Sequence, residues 1–381
     1  MALMKSNGQS EKMAAPPLGQ LYFYLTEGCN LACRHCWLAP KFDRDGRQHA
    51  TLPVNLFETA IDEAIPLGLT GVKLTGGEPL LHPDILDLLD IVRQKKLRLV
   101  IETNGLLCTP AIAAEIARSS HAFVSVSIDG TNAATHEAIR GVAGSFEAAC
   151  RAVRHLAAVG ISPQIIMSVM RTNADQIEDM VRMAEELGAS SVKFNLIQPT
   201  ARGKSMYQSR QTVDLPELIT IGRRVDRVLS ATTPLNLFFD YPLAFRPLSR
   251  LAGGNGCGVC GILGILGVIV DSAQPTVARY ALCGIGKNVP ELVFGSVHKD
   301  PLKVVWEENT LLNAIRKGLP DNLGGICANC LMRNRCFGAC IAQNYYRTGE
   351  LWAPFWFCEE AEKTGLFPSS RKYKIPDSCC P

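Results

Sequence analysis

The chain has 381 residues, 47% hydrophobic and 20% charged, with 15 cysteines and a formal net charge of +3. That composition builds a packed core, excludes a disordered or collagen-like chain, and at this length predicts one large or two unequal domains. The positive residues are scattered, so nucleic acid is not an expected partner. The longest apolar run, 261–270, is short of the ~18 residues of a membrane span, and residues 1–20 show no secretory signal. A cytoplasmic chain without a membrane partner follows, and clustered cysteines there point to metal before disulfides.

From residue 21 to 197 short apolar strands alternate with amphipathic helices. The strands are expected at 21–26, 72–75, 97–103, 122–128, 163–169 and 192–197. Helical stripes lie between them: Ile85, Leu88, Leu89 and Val92; Phe146, Cys150, Val153 and Ala157; Ile177, Met180, Val181, Ala184 and Leu187, stopped by Gly188. Segments 52–67 and 110–118 supply further helices. Alternating units of this kind make parallel strands joined by right-handed crossovers. Six units do not close an eight-stranded barrel. The prediction is an α/β fold, a partial (β/α)6 TIM-like barrel with its chemistry at the C-terminal strand ends. A helix follows at 215–229; from Gly253 the chain is rich in glycine and cysteine, and a segment of that kind is expected to need staples in place of a core. The expected divisions are a flexible segment 1–19, the barrel 20–235, a small Cys-rich domain 236–364 and a flexible tail 365–381.

The first strand runs into Cys29, Cys33 and Cys36, spaced CxxxCxxC. Three thiols on one loop can converge on a metal centre and leave one position open, whereas structural sites take four protein ligands. A zinc loop completed by His35 or a distant residue is the alternative reading. The second strand ends in Gly76-Gly77-Glu78-Pro79, where glycines let backbone approach a ligand and the carboxylate can accept from an ammonium group.

With these two motifs one strand apart, residues 21–202 resemble the radical S-adenosylmethionine (SAM) superfamily. The resemblance implies that Cys29, Cys33 and Cys36 hold a [4Fe–4S] cluster whose remaining iron is chelated by SAM. Reductive cleavage of SAM then gives a 5′-deoxyadenosyl radical that takes hydrogen from substrate. It further implies that His35 lies against the adenine and that Gly76, Gly77 and Glu78 hold the methionyl amine. Asn104, Ser127, Asp129 and Arg140 match further cofactor-binding positions more loosely, Ser127 and Asp129 placed to bond the SAM ribose or carboxylate and Arg140 resembling the carboxylate-pairing arginine. As Asn-Gly and Asp-Gly dipeptides, Asn104 and Asp129 also read as simple turn formers.

The run Cys327, Cys330, Cys336, Cys340, then Cys358, resembles the SPASM domain, a twitch-type extension of peptide- and protein-modifying members. Its pattern implies two auxiliary [4Fe–4S] clusters with interleaved ligands: Cys257, Cys260, Cys283 and Cys340 for one, and Cys327, Cys330, Cys336 and Cys358 for the other. Two zinc ribbons are the alternative. The chain departs from the pattern at Ala278, where a glycine is usual, and in the longer 260–283 loop. Gly284 stands where sulfatase-maturating members carry an aspartate base, which argues against formylglycine formation. Cys150 reads as core and Cys108 as packing ahead of a helix; Cys379 and Cys380 lie in the tail. Asp240, Tyr241 and Tyr280 are weak acid–base or radical-relay candidates.

The resemblance implies a SAM-dependent enzyme with three [4Fe–4S] clusters that abstracts hydrogen from a ribosomally synthesised precursor peptide. It would install a carbon–carbon or carbon–sulfur crosslink or a related modification. A low-potential ferredoxin or flavodoxin is the implied electron donor, and leader recognition falls to a separate protein or to the SPASM surface. The alternatives are a small-molecule or tetrapyrrole maturase of the same chemistry and a non-catalytic iron–sulfur carrier. The open three-cysteine site and Glu78 disfavour the carrier.

Overall fold

Most barrel strands alternate apolar side chains on one face with polar ones on the other, and that alternation sets the layers. The computed structural model describes residues 15–42, 49–252, 261–271, 273–274 and 276–373. Leu21, Phe23, Val72, Leu74, Leu99, Ile101, Val192 and Phe194 are fully buried, and a ring of helices covers that face. Tyr22, Lys73, Glu102, Lys193 and Asn195 occupy the alternate positions and face inward.

The barrel strands are β1 (Gln20–Tyr24), β2 (Gly71–Thr75), β3 (Arg98–Thr103), β4 (Phe123–Ser127), β5 (Gln164–Val169), β6 (Ser191–Leu196) and β7 (Asn236–Phe239), all parallel. Outside them lie α1 (Val54–Ala64), α2 (Ile85–Gln94), α3 (Pro110–Ala117), α4 (Ala133–Arg140), α5 (Ser145–Ala158), α6 (Ile177–Glu186), α7 (Ala201–Gln208) and α8 (Leu215–Arg224). Helix α1 seats on β1 through Phe57 and Phe23, ring centroids 4.3 Å apart. Helix α8 passes into a π-helical turn over Val225–Leu229 where one continuous helix was expected. The stripe of α5 ends on Leu156 and leaves Ala157 only partly buried.

Three expectations need correction. The parallel sheet does not stop at residue 235. β7 adds a seventh barrel strand, and β8 (Ile265–Val270) pairs parallel with β1 on the opposite side. β9 (Ala278–Ala281) and β10 (Val293–Ser296) extend that edge antiparallel. The apolar run 261–270 is thus a buried strand, and among the described residues no helix is long and apolar enough to cross a membrane. Second, the cysteine-rich segment is not short of core: Trp306, Phe357, Ile341, Leu312 and Tyr280 are each no more than 1% exposed and continuous with the barrel core. Helical stripes at Thr310–Gly318 and Ile341–Thr348 contribute to it, and they are too short to stand out between the cysteines. Third, the described parts of both ends are docked. Leu18 is fully buried, and Trp306 Nε1 donates to the Pro16 carbonyl at 2.8 Å. Phe367 is buried, and Arg371 donates to the Ala244 and Arg246 carbonyls at 3.3 and 3.0 Å.

Candidate active site

The loop after β1 is held by its neighbours before any ligand is considered. Gly28–Cys29 pairs with Lys41–Phe42, and Gly28 N donates to Thr26 Oγ1 at 2.9 Å. The amides of Ala32 and Arg34 donate to the Arg140 and Ile139 carbonyls at the end of α4. Arg202 of α7 closes the loop from the other side, donating to the Cys33 carbonyl at 3.2 Å and the Pro40 carbonyl at 2.8 Å. Arg202 was missed in the sequence, since nothing local marks a helical arginine as a clamp on a loop some 170 residues earlier. Cys29, Cys33 and Cys36 thereby line one cavity of about 170 Å³ at the C-terminal end of the strands. His35, Gly76, Gly77, Glu78, Asn104, Ser127 and Arg140 line it with them.

The two glycines do more than admit a ligand. A Cβ on Gly77 would fall 1.8 Å from the Gly28 carbonyl oxygen, and one on Gly76, whose φ is +132°, 2.9 Å from Leu25 N. They let β2 lie against the loop that carries Cys29. Glu78 then turns into a ready-made cap. Its Oε1 accepts from Leu80 N at 3.1 Å and Thr103 Oγ1 at 2.5 Å; its Oε2 accepts from Asn104 N at 2.8 Å. Burial pushes the carboxyl up to about 7 against the pull of those three donors. The Asn104 side chain is spent within the loop, donating to Asn30 Oδ1 at 2.7 Å and standing 3.8 Å from Cys29 Sγ.

Asp129 does not line the cavity: it is fully buried behind the wall. Its Oδ2 lies 2.7 Å from Arg140 Nε and 3.5 Å from His35 Nε2, and Oδ1 accepts from Ser168 N at 2.7 Å. Burial alone would raise Asp129; Arg140 and then His35 hold it below the usual carboxylate range. Arg140 in turn places Nη1 3.5 Å from Cys33 Sγ. His35 is lowered to about 4, chiefly by burial, and keeps Nδ1 buried without a partner.

The other predicted positions separate cleanly. Cys327, Cys330, Cys336 and Cys358 line a single cavity between the C-terminal helices. Cys340 lies close enough to Cys283 to raise its thiol, burial being the larger cause, and Asp240 adds to the burial that raises Cys340. Cys257, Cys260, Cys379 and Cys380 lie outside the described residues. Tyr241 points away from both sites, its hydroxyl donating to Asp226 Oδ2 at 2.6 Å, and Tyr280 is buried against Glu63 of α1. Cys108 and Cys150 are buried in the main core.

This donor set fits iron–sulfur clusters. Burial pushes Cys33 and Cys327 up to about 11 and Cys283 and Cys336 up to about 12, so these thiols ionise only against a strongly cationic centre. Among the described residues no three His, Cys, Asp or Glu side chains converge tightly enough for a single metal ion. Cys29, Cys33 and Cys36 line one cavity and Cys327, Cys330, Cys336 and Cys358 another, an arrangement that cubane clusters can occupy.

The Radical SAM superfamily profile matches residues 23–184. Mycofactocin maturase MftC of Mycolicibacterium smegmatis is 31% identical over 335 residues, 86% of this chain and 79% of that one. AdoMet-dependent heme synthase of Methanosarcina barkeri is 29% identical over 334 residues, 86% of this chain and 92% of that one. Among solved structures, Streptococcus suis SuiB bound to S-adenosylmethionine superposes with a TM-score of 0.69 at 20% identity, covering 91% of this chain and 78% of that one. Native anSMEcpe with bound AdoMet gives 0.68 at 16%, covering 92% and 96%.

Proposed function

The chain belongs to the radical SAM superfamily and is an enzyme, and from that premise we propose that it matures a ribosomally made precursor peptide by hydrogen abstraction and crosslinking. The observation that carries this reading is the meeting of Cys29, Cys33 and Cys36 with the capped Glu78 on one cavity at the mouth of a polar-walled barrel. Bound there, the cluster and SAM supply one-electron cleavage of a sulfonium and, through it, hydrogen abstraction from an unactivated carbon.

The protein's own residues bind, orient and shield. Cys29, Cys33 and Cys36 would hold the first cluster. Among the described residues Glu78 Oε2 accepts from one donor, Asn104 N, and keeps capacity for the methionyl ammonium. Ser127 and Arg140 stand on the wall for the polar groups of SAM, with His35 beside them. Asp129 acts through Arg140 as a positioning residue. Cys327, Cys330, Cys336 and Cys358 would hold a second [4Fe–4S] cluster, and Cys283 and Cys340, joined by Cys257 and Cys260, a third. A ferredoxin or flavodoxin would deliver the electron in the cytoplasm, and leader recognition would fall to a separate protein or to the SPASM surface.

The peptide reading is supported by the maturase relative and by SuiB, also solved with its precursor peptide SuiA. A second reading, a tetrapyrrole substrate, is favoured by the heme synthase alignment, which spans 92% of that relative against 79% of the maturase. Anaerobic reconstitution with SAM and dithionite should yield 5′-deoxyadenosine from the wild type and none from Cys33→Ala; equal yields would sink the catalytic reading. Co-expression with short peptides encoded nearby should give a product two hydrogens lighter. Unmodified peptides alongside a modified porphyrin would decide for the second reading.

A further inference from the structure

The barrel floor carries charge that the proposed reaction leaves unused. Lys73 on β2, Glu102 on β3 and Lys193 on β6 share the inward face, and Glu102 lines the same cavity as the cysteines. Lys73 Nζ lies 2.6 Å from Glu102 Oε1 and 4.8 Å over the Tyr22 ring. Burial alone would raise the Glu102 carboxyl; Lys73 first and Lys193 second hold it below the ordinary range. Glu102 is thus spent on Lys73 and reaches Lys193 only at longer range. Lys193 is half-buried, with no acid at ion-pair distance among the described residues. On the inward face, such a lysine is placed to receive a ligand that brings the opposite charge.

A second observation lies one pleat higher on the same strand. Asn195, about 6.6 Å further along β6, lines the cavity with its Oδ1 buried and unpartnered. A bare acceptor in a cavity wall asks for a donor from the ligand.

We propose that Lys193, with Glu102 and Lys73 fixing the local charge, anchors a carboxylate of the substrate, while Asn195 accepts a hydrogen bond from an N–H or O–H group beside it. This deepens the function proposed above and rests on it. The carboxylate has two possible sources, a peptide C-terminus or acidic side chain and a tetrapyrrole propionate, and the test separates them. Unreduced holoenzyme saturated with SAM, so that the cofactor's own site is filled, is titrated with two probe pairs. One pair is acetyl-alanyl-alanine and its C-terminal amide, read by saturation-transfer NMR. The other is coproporphyrin and its tetramethyl ester, read by fluorescence quenching. The free acid of one pair should bind at least tenfold tighter than its blocked form, and that pair names the source. Lys193→Met should abolish the preference, Lys193→Arg should restore most of it, and Glu102→Gln should strengthen it. Equal affinities within both pairs, no binding by any probe, or a preference that survives Lys193→Met would overturn the proposal. Formation of 5′-deoxyadenosine by the wild type is a separate measurement; its failure condemns the function and leaves this equilibrium result standing as data.

Discussion

A single methyl group at residue 77 should cost the protein its first cluster. The ideal Cβ of Gly77→Ala falls 1.8 Å from the carbonyl oxygen of Gly28 and 2.6 Å from its carbon. Ordinary contact needs about 3.5 Å, so the β2 turn and the cysteine loop must part by roughly 1.5 Å. Both sides are backbone, and neither can rotate away. The same movement strains two hydrogen bonds that tie the elements together, Gly77 N to the Thr26 carbonyl and Glu78 N to the Gly28 carbonyl, each 2.9 Å. Overpacking costs about 1–3 kcal/mol and each lost bond about 0.5–1.5 kcal/mol, so the sum is roughly 2–6 kcal/mol. Gly77 is not among the residues with positive φ, so the contact alone is tested. Because Gly28 adjoins Cys29, the displacement lands on the ligand loop. Anaerobically reconstituted Gly77→Ala should lose the SAM-sensitive electron paramagnetic resonance signal and unfold at lower denaturant. Gly19→Ala, whose nearest neighbour would be 3.7 Å away, should behave as wild type. A Gly77→Ala protein with the wild-type signal and unfolding midpoint would refute the packing argument.

Other perturbations follow from the same geometry. Glu78→Gln sets an amide group against the Asn104 N–H or the Thr103 and Leu80 donors; it should cost about 1–3 kcal/mol and weaken SAM binding at least tenfold by equilibrium dialysis. Because the folded Glu78 pKa is raised to about 7, its stabilisation is full below the unfolded value and is lost as pH rises to 7. Urea melts of chelator-stripped wild type should therefore lose more stability between pH 5 and 7.5 than those of Glu78→Gln; parallel slopes would contradict the assignment. Asp129→Asn strips the counter-charge from buried Arg140 and should cost about 3–5 kcal/mol, part of it recovered by adding Arg140→Gln; an unchanged denaturation midpoint rules this out. Cys336→Ser should lower total iron by about four per chain while the SAM-sensitive signal persists; unchanged iron would remove that cavity from the cluster count.

The barrel was legible because a buried outer face and a polar inner face impose period two on most strands, and parallel crossovers impose helices between them. The cysteine loop and Gly76-Gly77-Glu78 were legible because spacing there is chemistry. What escaped the sequence was long-range. Arg202 clamps Cys33 through backbone carbonyls, contacts that leave no pattern near either residue. Asp129 looked like a ligand-facing residue at a strand end, yet its pairing with Arg140 and His35 turns it behind the wall. Tyr241 and Tyr280 suggested chemistry by type alone, and their surroundings make them core. The C-terminal apolar residues were hidden because helices of eight or nine residues, interrupted by cysteine spacings, give a weak period.

Gly284 shows how closely the two halves are joined. The sequence marks it only as the place where an aspartate is missing. In the fold, a Cβ there would meet the Tyr24 ring at 2.2 Å and Leu38 Cδ2 at 2.8 Å. Tyr24 belongs to β1 and Leu38 to the loop carrying Cys29, Cys33 and Cys36, while Gly284 follows Cys283. One ring thus packs between Leu38 of the first cysteine loop and Gly284 beside Cys283, and β8 bonded along β1 fixes the spacing. The cysteine-rich segment is an edge of the barrel and not an appendage to it. The missing aspartate and the packed tyrosine are then one fact: a side chain at residue 284 and the present packing of Tyr24 and Leu38 against it exclude each other.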